Sequence, residues 1–287
     1  MSVPTVTVVQ VGCCCETAVL VAPRSYSFRV VDQRPGPDPA AGTHAPTVFI
    51  ATPMYGGTTT GTYAWSLAQT PVVFMRSGVG LLYQYRTSDA LVANSRNHLA
   101  TQFLETAATH LMWIDADIGF NGLDIVSMLV ADQDIICGLY PKKAIDWNRV
   151  ARAVTDGVPP EELHRHVGTF VIKPLEGDDG DAVANSDGLV EITAGGTGFM
   201  LVKREVFEAL YDKVPTYVVG GATIREFYAT DIHPETNRLI GEDYYFCLLA
   251  RKHGFKIYAA PWVHLTHTGP YEYDSELQPN WLVNPSL

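Results

Sequence analysis

The sequence predicts an α/β fold: a mostly parallel central sheet with helices on both faces. Three observations lead there. Short apolar runs rich in β-branched residues, in "TVFIATPMYGG", "HLMWIDAD" and "DIICGLY", alternate with segments of helical spacing. These runs are apolar throughout rather than alternating, as strands covered on both faces are. The chain has 287 residues, 47% of them hydrophobic, enough for one large core.

Taken in order, residues 1–31 contain two β-branched stretches, "TVTVVQV" and "YSFRVV", which read as a hairpin or added strand pair. The Pro/Gly-rich segment 32–46 reads as a linker. The expected organisation is therefore an N-terminal β extension with linker over 1–45 and one domain over 46–287. Within the domain, "TVFIATPMYGG" (47–57) is a strand ending in a turn, and "TYAWSLAQT" a short helix. "VVFMRS" and "GLLYQYR" form a second strand region. Residues 90–108 place Val92, Leu99 and Phe103 on one helical face and lead into "HLMWIDAD". "NGLDIVSMLVAD" is a helix and "DIICGLY" a buried strand. The polar stretch 148–188 reads as a flexible insertion that could serve as a lid. "LVEITAGGTGFMLVKREVFEAL" supplies a strand, a Gly-rich turn and a helix. The last block is a helix stopped by Gly254, a strand from Phe255, and a further strand from Val263 to His267.

Composition narrows the function. Lys and Arg number 20 against 31 acids, a net charge of −11, which argues against a protein held to nucleic acid by phosphate neutralisation. Of the cysteines Cys13, Cys14, Cys15, Cys137 and Cys247, none forms a CxxC pair, which fits a reducing compartment. No Lys or Arg precedes Cys13, and Thr5, Thr7 and Gln10 break the first apolar stretch, so the expectation is an untargeted cytoplasmic protein with no membrane association.

The chemistry gathers where the run Leu111–Ile114 meets Asp115 and Asp117. Read as strand residues at i and i+2, both acids face one way, at the carboxyl end of a strand where open α/β sheets bind ligands. Two carboxylates that close repel unless a cation lies between them. Oxygen ligation at an open site suits Mg²⁺ or Mn²⁺ carrying a diphosphate. The rival reading is a pair of solvated acids capping a strand. "GGTTTG" (56–61) lacks the Lys-Ser/Thr of a P-loop, and "GVGLLY" lacks the third Gly of a dinucleotide fingerprint.

"WIDADIGF" is similar to the DxD motif of the GT-A fold glycosyltransferases. It stands in order with "SRN" (95–97), "GGTGFMLVKREVF" (195–207), "GEDYYFCLLARKHGFKIY" (241–258) and "HLTHTG". Over about residues 46–270 that order resembles the family-2-like glycosyltransferases encoded by bacteriophages, and "GLYPKKAIDW" (138–147) resembles the same group. The first 45 residues carry none of it. The resemblance implies a Rossmann-like GT-A sheet and a divalent metal, Mn²⁺ or Mg²⁺. It also implies a nucleotide-sugar donor and transfer of the sugar to an acceptor hydroxyl, in the host cytoplasm if the chain is phage-encoded.

Residue by residue, the resemblance implies that Asp117 and Asp115 bind the metal, with contact to ribose the alternative for Asp115. His267 would complete the metal shell, a packed, hydrogen-bonded residue being the alternative; for His264 that packed reading is the expected one. Asp243 would be the general base of an inverting reaction and Glu242 its orienting partner, although both also suit the start of a helix. Pro53 and Tyr55 would hold the nucleobase, core packing being the alternative for Tyr55. Arg96 would bind the diphosphate or pair with Asp115 or Asp117; otherwise it is a solvated helix residue. Gly196 and Gly198, with Gly195, would let backbone approach a sugar, or simply make a tight turn. Lys142 and Lys143 could meet a phosphate, but adjacent lysines are usually surface residues. For the acceptor, a hydroxymethylated pyrimidine in phage DNA is one specific expectation, opposed by the acidic balance; a glycan, saccharide or protein is the other. A sugar-phosphate nucleotidyltransferase and a non-catalytic nucleotide-sugar-binding protein are the competing classes.

Overall fold

A computed structural model describes residues 45–175 and 184–271, together with the backbone of 26–29. The stretch "TVTVVQV", most of the linker, Cys13 to Cys15 and the acidic run at 176–183 lie outside the described residues.

The first strand, β1 (Tyr26–Arg29), is followed by β2 (Thr47–Met54), α1 (Gly61–Arg76), β3 (Gly80–Thr87) and α2 (Val92–Leu104). Then come β4 (His110–Ile114), β5 (Ile118–Gly119), α3 (Gly122–Val130), β6 (Ile135–Gly138), α4 (Trp147–Thr155) and a 3₁₀ turn over Pro160–His166. The chain continues with β7 (Ile172–Pro174), β8 (Val190–Gly195), β9 (Phe199–Lys203) and α5 (Arg204–Leu210). Two small hairpin pairs follow, β10 (Thr216–Val219) with β11 (Ala222–Arg225) and β12 (Asp231–Ile232) with β13 (Leu239–Ile240). α6 (Glu242–Lys252), β14 (Ile257–Ala260) and β15 (Thr266–His267) complete the described chain.

The central sheet has nine strands in the order β1-β3-β2-β4-β9-β6-β14-β8-β7. β3, β2, β4, β6, β14 and β7 share one direction, while β1, β9 and β8 run against them. The expected α/β class therefore holds, with antiparallel strands inserted into the parallel frame. Strand alternation divides the core in two. Phe49, Leu111, Trp113, Ile135 and Met200 face one way, packing against Leu99 and Phe103 of α2, Phe207 of α5 and Phe246 of α6. Val48, Ile50, Met112, Ile114 and Ile136 face the other, packing on Tyr63 and Phe74 of α1 and Ile125 and Met128 of α3.

Four expectations are corrected. "VVFMRS" is not a strand: α1 continues through Pro71 to Arg76 and buries Phe74. Pro71 removes one backbone donor, but packing on the sheet and on α3 outweighs that local loss. Val92 does not share the buried face of Leu99 and Phe103; it opens α2, is 40% exposed, and lines the cleft described below. The insertion at 148–188 is not a structureless excursion in its described part. α4 is N-capped by Asp146, whose side chain accepts the Arg149 N–H, and buries Ala153. "EITAGGTGFM" spans two strands, not one strand and a turn to a helix: Gly195 to Gly198 carry the chain from β8 to β9, between which lie β6 and β14. The stretch "YSFR" does form an added strand, paired antiparallel to β3.

Candidate functional site

At the carboxyl ends of β2 and β4 lies a cleft of about 650 Å³. The end of β2 and the following turn form one wall, with Pro53, Met54, Tyr55, Gly56 and Thr58–Thr60. Asp89, Val92 and Ser95 at the start of α2 form another, Asp115, Ala116 and Asp117 line it after β4, and Lys143 with Thr268–Pro270 closes the far side. The loop before α1 is pinned to the acid pair: Thr60 N–H and the Thr59 hydroxyl both donate to Ala116 O, at 3.0 and 2.7 Å.

The two aspartates do not continue the strand. Ile118 N–H donates to Asp115 O, closing a tight turn over Asp115–Ile118. Strand alternation therefore ceases to govern them, and each acid meets a different cation. Arg96 donates from Nη2–H to Asp115 Oδ1 at 3.0 Å and from Nε–H to Glu242 Oε1 at 3.5 Å. Asp117 instead meets the Lys143 ammonium through Oδ2 and His267 Nε2, 3.4 Å from Oδ1. The repulsion that one shared cation was expected to relieve is relieved by two separate partners.

Arg96 is not a solvated helix residue; its side chain is only 3% exposed and its guanidinium lies 5.3 Å from the Trp113 ring centroid. Burial alone would push it toward losing its proton, but Asp115 and Glu242 hold it firmly charged. The neighbouring Asn97 fixes the other side of the site. Its amide donates to Tyr228 O and accepts the Tyr228 N–H, both at 2.8 Å, and Tyr228 in turn accepts from Trp113 Nε1–H at 2.6 Å. "SRN" is thus a buried polar strut that joins α2, the end of β4 and α6.

Asp243 begins α6, with Oδ1 accepting the Tyr244 N–H at 2.7 Å. Burial first, and then the Glu242 charge, push its pKa up to about 6. Arg96 opposes this and Asp115 adds to it, so Asp115, Arg96 and the two helix acids form one electrostatic unit. Asp117 behaves in the opposite way. Burial works against its charge, but the neighbouring His267 ring and the Lys143 ammonium outweigh that and hold it below the ordinary aspartate range.

His267 is oriented as a metal ligand would be. Its Nδ1–H donates to Pro141 O at 2.7 Å, which leaves Nε2 as the unprotonated nitrogen of the neutral ring, facing Asp117. Tyr140 packs edge-on against the ring at 5.3 Å between centroids. Asp117 Oδ1 is buried with no hydrogen-bond partner, an orphan acceptor beside that nitrogen. One carboxylate and one imidazole fit a Mn²⁺ or Mg²⁺ ion that takes its remaining oxygens from substrate phosphates and water. Among the described residues no group of three or more His, Cys, Asp or Glu stands close enough together to hold a metal ion.

The remaining sequence candidates fall as follows. Pro53 and Tyr55 line the cleft, and Tyr55 is 71% exposed rather than packed in the core. Gly196 and Gly198 are buried under Tyr140 and do not line the cleft. A Cβ on Gly198 would lie 2.7 Å from the Tyr140 ring, so the close approach these glycines permit is to that tyrosine. Gly198 N–H donates to Tyr140 Oη and Gly198 O accepts the Asp115 N–H, both at 3.0 Å. His264 is not a packed residue; it is exposed, and its position bears on Asp124 rather than on the cleft. Sequence reasoning discounted Lys143 as surface and did not single out Tyr140 or Asp89. The only local signal for Lys143 was its place five residues after a buried strand.

No protein-family model and no curated protein matches the chain. Among solved structures, it is similar to A197 from STIV, at 17% identity and a TM-score of 0.41, over 78% of this chain and 86% of that one. GalNAc-T7 in complex with UDP, GalNAc and Mn²⁺ is similar at 11% identity and 0.39, over 78% of this chain but only 44% of that one. The inositol-1-phosphate CTP transferase from T. maritima is similar at 12% and 0.38, over 81% and 93%. Among the described residues no helix is long and apolar enough to cross a membrane.

Proposed function

We propose that the protein is a metal-dependent glycosyltransferase of the GT-A type, moving a sugar from a nucleotide donor to an acceptor hydroxyl with inversion. The observation that carries this reading is the orphaned, buried Asp117 Oδ1 facing His267 Nε2 across 3.4 Å, at the wall of a cleft that Asp117 lines. A divalent ion held by Asp117 and His267 would supply positive charge to the diphosphate leaving group. Tyr55, exposed beside Pro53, offers a ring on which the nucleobase stacks. Arg96 donates to Asp115 Oδ1 and so fixes this carboxylate at the cleft wall, where it orients the donor.

Asp243 takes the proton from the acceptor hydroxyl as the acceptor oxygen attacks the anomeric carbon. With a pKa near 6 it is largely ionised at neutral pH yet more basic than an exposed aspartate, as a general base should be. Glu242, held by Arg96, contributes to that raised basicity.

The test is calorimetric titration of a nucleotide-sugar panel with Mn²⁺ and with chelator, followed by transfer assays on saccharides, glycans and hydroxymethylated DNA. Metal-dependent binding of one donor and its consumption with an acceptor are expected. Donor binding that is indifferent to chelator refutes the metal assignment, and metal-dependent binding without turnover on any acceptor refutes the transferase assignment.

A further inference from the structure

Lys143 is the cation that the sequence reading set aside. Asp89, Asp115 and Asp117 line the cleft, and Lys143 is the single Lys or Arg among its described lining residues. A diphosphate entering such a space meets more negative charge than positive unless cations offset it. Arg96 does not line the cleft: its side chain is 3% exposed, Nη2 and Nε are committed to Asp115 and Glu242, and Nη1 is buried.

The position of Lys143 is built rather than incidental. The loop that carries it is fixed at both sides: before it, Pro141 O accepts the His267 Nδ1–H at 2.7 Å and Lys142 N–H donates to Thr169 O at 2.8 Å; after it, Asp146 N–H donates to Val167 O at 2.7 Å. Its stem lies along Gly269, where an added Cβ would come within 2.8 Å of the Lys143 Cδ. The opposite end of that segment is tied to the acid turn by Thr268 N–H donating to Asp117 O at 3.0 Å. The ammonium therefore reaches Asp117 from a stem that lies along Gly269. It occupies Oδ2 of the carboxylate whose Oδ1 faces His267, so a divalent cation held at Oδ1 would meet the ammonium on the same group and repel it.

We propose that Lys143 has two successive partners: it neutralises Asp117 in the free protein, and it turns to the diphosphate once Asp117 and His267 are engaged by a divalent cation. This rests on the glycosyltransferase reading and assigns a second cation to its leaving group. In the transfer step the bond between the anomeric carbon and the diphosphate oxygen breaks, and the electron pair leaves with that oxygen. The new bond forms to the acceptor oxygen, whose proton passes to Asp243. Lys143 donates a hydrogen bond to the departing diphosphate without giving up its proton.

Two consequences follow from rivalry for Asp117, and both are read without turnover. Lys143→Met keeps the stem and removes the charge. In the absence of phosphates it should bind Mn²⁺ at least threefold more tightly than the parent protein, measured by Mn²⁺ paramagnetic resonance. At saturating Mn²⁺ its affinity for inorganic pyrophosphate, a probe that carries the diphosphate without base or sugar, should fall at least tenfold by calorimetry. Lys143→Arg should retain most pyrophosphate affinity, and Gly269→Ala, which obstructs the stem without altering charge, should lose it. Mn²⁺ binding that is unchanged or weaker in Lys143→Met, or pyrophosphate binding within twofold of the parent, overturns the proposal while leaving the metal site intact. A parent protein that binds neither Mn²⁺ nor pyrophosphate removes the glycosyltransferase reading itself, and the role of Lys143 with it.

Discussion

Asp243 allows the proposed base to be tested without knowing the substrate, because a raised carboxylate pKa is also a statement about stability. The folded protein holds Asp243 at about 6 against an ordinary value of 3.8. The native state therefore binds this proton more tightly than the unfolded chain. Between about pH 4 and pH 6 the unfolded chain loses its proton first, so stability falls as pH rises through that window and the loss is complete above it. The difference of about 2 between the two values, at about 1.4 kcal/mol for each, amounts to about 3 kcal/mol. Asp243→Asn removes the buried charge, and its Oδ1 can still accept the Tyr244 N–H. It forfeits the favourable interaction of an acid with a helix start, about 0.5 kcal/mol. The variant should thus be more stable than the parent by about 2 kcal/mol at pH 8 and nearly equal to it at pH 4, by equilibrium urea unfolding. Glu242, Asp115 and Arg96 remain in both proteins, and their interaction with the Asp243 charge, present only in the parent, is part of what the difference reads. A variant that is no more stable at pH 8, or stabilised equally at both pH values, refutes the claim that Asp243 is held in a costly ionised state. The same substitution should lower the transfer rate about 10² to 10⁴-fold.

Asp117→Ala should weaken Mn²⁺ binding by more than the roughly 10 to 100-fold typical of losing an outer partner, while thermal unfolding moves little because the acid is 31% exposed; unchanged Mn²⁺ affinity by calorimetry would remove the metal assignment. Arg96→Met strips two carboxylates of their buried partner and should cost about 3–5 kcal/mol in urea unfolding. Because Arg96 holds the Asp243 pKa down, the acid limb of the pH–rate profile should also move to higher pH in whatever folded enzyme remains; an unmoved limb separates Arg96 from the base. Gly198→Ala places a methyl 2.7 Å from Tyr140 and should destabilise by about 1–3 kcal/mol, a loss that Tyr140→Ala in the same chain should partly relieve if that contact is the cause.

The strands that frame the cleft were legible because each is a short apolar run: β2, β4 and β6 lie where "TVFIA", "HLMWI" and "DIIC" place them. The course of α1 past Pro71 was not, since a local breaker was outweighed by the burial of Phe74 against a sheet that the local sequence does not display. The site divides in the same way. Asp115, Asp117, Tyr55 and Pro53 announced themselves by residue type at a strand end, and the cleft contains all four. What the sequence could not supply was their pairing. Arg96 lies 19 residues from Asp115 and 146 from Glu242, and Lys143 lies 26 from Asp117. Only the sheet order brings those segments together. The expectation that both acids share one cation came from extending strand alternation one residue too far, into a turn closed by Ile118.

That turn changes what the acid pair can do. Were Asp115 and Asp117 both directed at a cation, Asp115 would have to leave a guanidinium that is 3% exposed, and its loss would strand a buried positive charge beside Glu242. Asp117 faces no such penalty, because Lys143 is 36% exposed and an ammonium that leaves a carboxylate at the cleft surface is resolvated or meets a phosphate. The asymmetry assigns different work to the two acids. Asp115 is the fixed member, tied through Arg96 to the helix that carries the proposed base. Asp117 is the exchangeable one, whose partner can change when a ligand arrives. On the proposed reading, a site that binds a charged donor and releases a more highly charged product uses both kinds: one carboxylate that holds the geometry and one whose neutralising partner can be replaced.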